Sequence, residues 1–341
     1  MFFLHGGEQM AHGEKGRVLV TGGTGFVGSH LVERLLRHGY SVTCLVRVLR
    51  QVRWLEGLEA QLTQGDCTQP ESLAAAVQDA AFVFHCAGRT KALRARDYYT
   101  VNHIGTKNLL EACARYNPGI KKFILVSSQA AAGPSPDGQM VNEGYTAHPV
   151  SDYGRSKLLA EDEARSFKDR FPVVILRPSS VYGPRDADIF QLFHWAARGL
   201  IFEMNGGERY FNLCYIEDLT TALLMSAELT TESGSVYFVA DNRGYSWTEF
   251  RSLLLATGGV KARTIKLPYG AAYLVALVSE IGGLFTNRPV LMNRQKVREA
   301  AQPYWLCTVG KIEHDLRFRA EYPLPKGLEL TWHWYRKNNW L

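Results

Sequence analysis

The chain has 341 residues and a mass of 38.3 kDa, enough for one large α/β domain and a smaller lobe. With 46% hydrophobic and 21% charged residues, it falls outside the collagen-like, mucin-like and disordered classes. The formal charge of +6 is spread thinly, and its densest cluster (Arg47, Arg50, Arg53) is too short for a nucleic-acid arm, so a small molecule is the expected partner rather than nucleic acid.

Residues 1–15 read as a poorly ordered tail. Arg17-Val18-Leu19-Val20 is a β-branched run stopped by Thr21-Gly22-Gly23. Val27, Leu31 and Leu35, joined by Val32 and Leu36, then mark one face of a helix closed at His38-Gly39. Further strands are expected at 41–46, 60–63, 81–84, 122–126 and 173–176, with helices over about 98–116 and 152–168 between them. This alternation predicts a doubly wound, mostly parallel Rossmann sheet over 16–182. Residues 183–341 are expected to form mainly a smaller substrate lobe, with 215–240 rejoining the sheet. The apolar stretch 268–285 is interrupted at Ser279-Glu280, short of the ~20 residues of a membrane span. No transmembrane segment is therefore expected. The stretch has three readings: ordinary core packing, the wall of an apolar pocket, or contact with a membrane surface. Six scattered cysteines without a CxxC pair read as buried thiols in a reducing, cytoplasmic setting, and no metal site is expected.

Gly22, Gly25 and Gly28 stand between a strand and a helix. Gly22 suits a positive-φ turn, Gly25 a close backbone approach to pyrophosphate, and Gly28 tight helix packing, with the helix N-terminus facing the phosphates. Phe26 and Val27 belong to the same cofactor-binding loop. At the end of the second strand, where an acid would hold the ribose diol of NAD, stands Val46 followed by Arg47. A guanidinium suits a second phosphate, so NADP(H) is the favoured cofactor, with NAD(H) as the alternative if Arg47 lies on a solvated edge. Asp66, followed by Cys67, either accepts from the adenine amino group or caps the next short helix. Ala87 and Gly88, after the fourth strand, would let a flat cofactor pass close to backbone; the neighbouring His85 reads as structural.

Tyr153 and Lys157 lie four apart on one helix face. A phenol with an ordinary pKa near ~10 is a poor base at neutral pH, and a nearby ammonium favours its ionised form. Ser128, at a strand's C-terminal end, is placed to hydrogen-bond a substrate oxygen, with Ser127 as its structural neighbour.

Together these residues make the chain resemble an extended short-chain dehydrogenase/reductase, in the superfamily of NAD-dependent epimerases and dehydratases. The resemblance rests on Thr21 to Gly28, Asp66, Asn102 within Val101 to Thr106, Ser127-Ser128, Tyr153-x-x-x-Lys157 and Arg177 to Pro184. It implies Ser128, Tyr153 and Lys157 as the catalytic set, with Asn102 supporting their helix or its water. It also implies a loop beside nicotinamide and substrate that includes Pro178, an architectural Asp218, and a homodimer paired through the two long helices. Family dehydratases of the 4,6 type carry Asp-Glu after the catalytic hydroxyl residue, whereas Gln129-Ala130 follows Ser128 here. The pattern further resembles the branch of 3β-hydroxysteroid dehydrogenases and 3-ketoacid reductases, through residues 291–297 and a C-terminal pair of tryptophans. The expected activity is NADP(H)-dependent interconversion of a secondary alcohol and ketone on a partly apolar 3-hydroxy/3-keto substrate. A nucleotide-sugar epimerase with tightly bound NAD is the alternative, and a non-catalytic cofactor-binding sensor or assembly protein a further one.

Overall fold

A computed structural model describes residues 15–286, 289–290 and 292–341. All of the expected tail except Lys15 lies outside the described residues, as does Leu291 of the resemblance motif. Seven parallel strands form the main sheet. Six are β1 (Arg17–Thr21), β2 (Ser41–Val46), β3 (Gln61–Gln64), β4 (Phe82–His85), β5 (Lys122–Val126) and β6 (Val173–Pro178). Strand Ser235–Val239 is the seventh and lies beside β6 at one edge; the order inward from it is β6, β5, β4, β1, β2, β3.

The central runs are largely apolar because alternate side chains enter different cores, whereas the edge strand β3 (Gln-Leu-Thr-Gln) is polar and partly exposed. Val18, Val20, Phe84, Ile124 and Val174 pack on one face of the sheet. Leu19, Val83, Phe123, Leu125, Val173 and Ile175 pack on the other. The proline at 178 does not stop β6 at Leu176. Register continues to Pro178 opposite Val239, and the amide that bonds the Val239 carbonyl is that of Ser179.

The strand order turns back on itself at β1 and β4, which opens a crevice at their carboxyl ends. The second lobe has its own core, in which Phe193, Tyr245, Phe250, Trp332 and Tyr335 are buried. Trp332 closes it by donating its indole N–H to the Leu254 carbonyl at 3.0 Å.

Helix Tyr269–Thr286 lies outside this core and runs unbroken through Ser279-Glu280. The carboxylate that should interrupt it is accommodated by Arg294, whose Nε donates to Glu280 Oε2 at 2.7 Å. This 18-residue helix has a mean hydropathy of 1.3 and is long and apolar enough to cross a membrane by length and composition. Its length is nevertheless only about 27 Å at ~1.5 Å per residue. Ala272, Ala276 and Gly283 are buried, whereas Leu274, Val275, Val278, Leu284 and Phe285 each expose more than half their surface. Core packing therefore does not account for this segment.

Candidate functional site

The glycine loop sits at the crevice. Gly22 has φ +72°, and a Cβ there would stand 2.6 Å from the Ala87 amide nitrogen. At Gly28 a Cβ would stand 2.2 Å from the Gly22 carbonyl oxygen, so only glycine lets the helix Phe26–Arg37 close onto the loop. Gly25 is the extended residue before that helix, and a Cβ on it would meet only the Gly22 oxygen, at 3.2 Å. Across the crevice a Cβ on Gly88 would lie 3.4 Å from Asn102 Oδ1 and 3.8 Å from Lys157 Nζ. The loop after β1, Ala87-Gly88 after β4 and the Lys157 ammonium thus border one narrow space. These residues fit a dinucleotide whose pyrophosphate needs close backbone approach.

A buried hydrogen-bond chain fixes the walls. Thr106 donates its hydroxyl to the Asn102 carbonyl at 2.6 Å, so it accepts from His85 Nε2 at 3.0 Å. His85 Nδ1 is then the acceptor for the Thr21 hydroxyl at 2.7 Å, while Thr21 accepts from the Ala87 amide at 3.2 Å. Burial, with the Lys157 charge added, pushes the His85 pKa down to about 3. A neutral, fully bonded imidazole holds β1, β4 and the helix beyond Asn102 in register.

Asn102 lies in a π-helical turn, Tyr99–Ile104, which widens the backbone enough to aim its amide inward. Its Oδ1 accepts from the Arg89 amide at 2.7 Å, and its Nδ2 donates to the Arg89 carbonyl at 3.1 Å and to Ser156 Oγ at 2.9 Å. Ser156 belongs to helix Asp152–Ser166, which also carries Tyr153 and Lys157.

The structure brings Ser128 and Tyr153 together. Burial holds the Tyr153 phenol above its ordinary pKa, and a hydrogen bond with the Ser128 side chain draws it back. The Ser128 Oγ also accepts from the Ala130 amide at 3.1 Å, which fixes its position after β5. One turn on from Tyr153, Lys157 donates to the Val126 carbonyl at 2.6 Å. Burial pulls its ammonium down to about pKa 8, opposed by the charge of Glu161. Ser127 faces away, donating its hydroxyl to Glu161 Oε1 at 2.5 Å within a fully buried ion pair with Arg177.

Other expected positions also make local contacts. Asp66 Oδ1 accepts from the Thr68 amide at 2.8 Å and hydroxyl at 2.9 Å, a turn cap rather than a bond to the short helix at Pro70. Cys67 is buried, and burial pushes its thiol up to about 12. Asp218 accepts from the Glu321 and Tyr322 amides, tying the second lobe to the helix Ile216–Glu228. The sequence reading missed Lys296 and Glu299. They come from the short helix Arg294–Ala301, and Lys296 Nζ lies 5.6 Å from the Tyr153 ring centre. In the sequence the run 291–297 is only a pattern, and no spacing rule joins a residue at 296 to one at 153.

Comparison with known proteins places this geometry. Residues 18–240 match the profile of the NAD dependent epimerase/dehydratase family. A ceramide reductase of Caulobacter vibrioides is 29% identical over 97% of this chain and 98% of its own length. The sterol-4-alpha-carboxylate 3-dehydrogenase of Mus musculus is 28% identical over 89% and 92%. Among solved structures, MoeE5 in complex with UDP-glucuronic acid and NAD is 24% identical over 95% of this chain and all of its own, with a TM-score of 0.76. A UDP-glucose 4-epimerase of Thermus thermophilus in complex with NAD is 22% identical, with a TM-score of 0.77 over 94% and 99%.

These findings correct the cofactor expectation. The structural neighbours whose dinucleotide is identified hold NAD, not NADP. The physical reason lies at Arg47, which is exposed just past the end of β2. Its backbone carbonyl accepts from Gln64 at 3.4 Å, and among the described residues no hydrogen bond or ion pair holds its guanidinium. The chain belongs to the NAD dependent epimerase/dehydratase family, the extended short-chain dehydrogenases/reductases, with the NAD(P)-linked oxidoreductase or epimerase chemistry of that fold.

Proposed function

We propose that the protein interconverts a secondary alcohol and a ketone on a partly apolar substrate of 3-hydroxy/3-keto type, using NAD(H). The observation that carries this reading is the placing of Tyr153 and Lys157 on one helix whose lysine ammonium borders Gly88 in the dinucleotide crevice. The bound nicotinamide supplies or accepts the hydride. In reduction Tyr153 gives its proton to the carbonyl oxygen while Ser128 donates a hydrogen bond to the same oxygen. Lys157, directed toward Gly88, would hold the nicotinamide ribose, and Gly22, Gly25, Phe26, Val27 and Gly28 the pyrophosphate. Asn102 keeps the catalytic helix at its height through Ser156.

The apolar part of the substrate is supported by the sequence relatives. The sequence relatives include the ceramide reductase, the sterol dehydrogenase and a farnesyl-quinoline-oxide ketoreductase of Stigmatella aurantiaca, 30% identical over 77% of this chain. Leu284 of the exposed apolar helix reaches a mostly polar cavity of about 370 Å³ that Tyr98 and Asp152 also line. That helix would rest on an anionic lipid surface, because Lys266 precedes it and Arg298 lines the cavity beside it, both exposed. Sedimentation with phosphatidylglycerol vesicles tests this: binding is expected, and Leu274→Asp with Val278→Asp should weaken it by about tenfold or more. Absence of vesicle binding by the unaltered protein would remove the lipid contact.

A specific observation also favours the epimerase reading: the NAD-holding structural neighbours include UDP-sugar 4-epimerases. With NADP(H) corrected, Arg47 no longer speaks against it. Supplying ketones such as 3-oxo acyl compounds with NADH, and UDP-sugars separately, decides between them. Net loss of NADH absorbance supports the oxidoreductase; interconversion of UDP-sugars without net cofactor change replaces it with the epimerase. In calorimetry NADH is expected to bind more tightly than NADPH, and the opposite order would overturn the NAD(H) assignment.

A further inference from the structure

Tyr153 is the second residue of the helix Asp152–Ser166, in the turn whose leading amides have no partner inside the helix. Those amides are held from outside. Ser151, buried just ahead of the helix, accepts from the Gly154 amide at 3.1 Å and donates its own hydroxyl to Glu299 Oε1 at 2.5 Å. The Asp152 amide donates to Gln295 Oε1 at 2.6 Å, and Gln295 Nε2 donates back to Asp152 Oδ2 at 2.8 Å. Tyr99 donates to the other oxygen of that carboxylate at 2.8 Å. Gln295 and Glu299 are four apart on the helix Arg294–Ala301, so one face of it lies across the start of the catalytic helix.

The helix that supplies this clamp is itself fixed. Asn293 caps it by accepting from the Lys296 amide at 2.8 Å, and Glu280 accepts from the Arg294 amide and Nε, each at 2.7 Å. Lys296 Nζ holds the second Glu299 oxygen at 2.9 Å, and the Glu299 carbonyl accepts from the Trp305 indole at 2.9 Å. On its other side the first turn of the catalytic helix is pressed against the chain beyond Ser128: a Cβ on Gly154 would stand 2.3 Å from the Ala130 carbonyl oxygen. A shift of that turn therefore moves Tyr153 relative to the Ser128 segment.

We propose that Gln295 and Glu299 are positioning residues for Tyr153, through which the second lobe sets the first turn of the catalytic helix and with it the place of the phenol in the crevice. This rests on Tyr153 being the acid/base of the proposed reaction. Neither residue gives or takes a proton in that reaction; both act by holding the leading end of the helix still. The lobe expected to wall the substrate thereby also fixes the proton donor that must meet it.

The first readout needs no substrate. In the full chain, 3-fluorotyrosine placed at 153 alone gives a fluorine resonance that reports the surroundings of the ring. Gln295→Ala and Glu299→Ala are expected to shift and broaden it. Glu299→Gln keeps an acceptor for the Ser151 hydroxyl and is expected to restore most of the original spectrum. With 3-oxo acyl ketones and NADH, each alanine variant should lose about 10–10²-fold in kcat, the scale set by a misplacement near ~1 Å. KM and NADH binding should stay within about twofold, and Glu299→Gln should recover most of the loss seen in Glu299→Ala. An unmoved resonance in both alanine variants overturns the proposal. So does a lowered urea midpoint joined to weaker NADH binding, without the kcat–KM split or the rescue, which is the pattern of a merely structural role. Where one alanine variant fails to fold, seen as lost NADH binding, the other decides. If Tyr153→Phe keeps its turnover while the resonance still moves, the acid/base reading falls, and the clamp stands only as an anchor of the helix.

Discussion

Tyr153→Phe is expected to lower turnover by about 10²–10⁴-fold, the usual contribution of a positioned proton donor, while NADH binding in calorimetry stays unchanged. That loss corresponds to roughly 3–5 kcal/mol at the barrier. The substitution removes one oxygen, and the ring keeps its packing against Tyr98. The cofactor-side walls, built from Gly22, Ala87, Gly88 and Lys157, do not depend on the phenol. Ser128→Ala should be the milder lesion, because Tyr153 still reaches the substrate oxygen. Turnover of Tyr153→Phe within twofold of the unaltered protein would take the tyrosine out of the chemistry.

The parts of this site legible in the sequence are those where local chemistry and place in the chain coincide. A glycine run between an apolar strand and a periodic helix forces a crossing at β1, and serines just past β5 stand at the crevice. The central strands are readable because burial on both faces leaves no polar alternation to confuse, while the seventh, Ser235–Val239, is expected only as part of a segment that rejoins the sheet. Lys296 was not readable: it reaches Tyr153 across 143 positions by a clamp of polar side chains, Gln295, Glu299 and Ser151, that in sequence look like a solvated helix face. Arg47 misled for the opposite reason. Its place after β2 is as expected, but the guanidinium lies exposed past the strand end, and among the described residues no hydrogen bond or ion pair holds it. The helix Tyr269–Thr286 shows a third limit, since an apolar run reads the same whether it faces inward or, as here, outward.

The largest stability loss is expected at Glu161. Its carboxylate is fully buried and accepts from Arg177 Nε at 2.9 Å, Arg177 Nη2 at 2.6 Å and Ser127 Oγ at 2.5 Å. Glu161→Ala leaves a guanidinium stranded in the core between β6 and the catalytic helix, which should cost about 3–5 kcal/mol in urea unfolding. Replacing both partners, Glu161→Met with Arg177→Met, should cost clearly less than the two single changes added, because the stranded charge goes with its partner. A single-variant loss below about 1 kcal/mol would mean water reaches the pair. The same carboxylate raises the pKa of Lys157, one helical turn away, against the burial that lowers it to about 8. In Glu161→Gln that support is lost, so the Lys157 ammonium gives up its proton at lower pH. Activity that depends on it should then fall earlier as pH rises, with the alkaline limb of the pH–rate profile displaced to lower pH and the acid limb in place. A buried pair that lies off the reaction path thereby sets both the rigidity of the catalytic helix and the pH range over which its lysine stays charged.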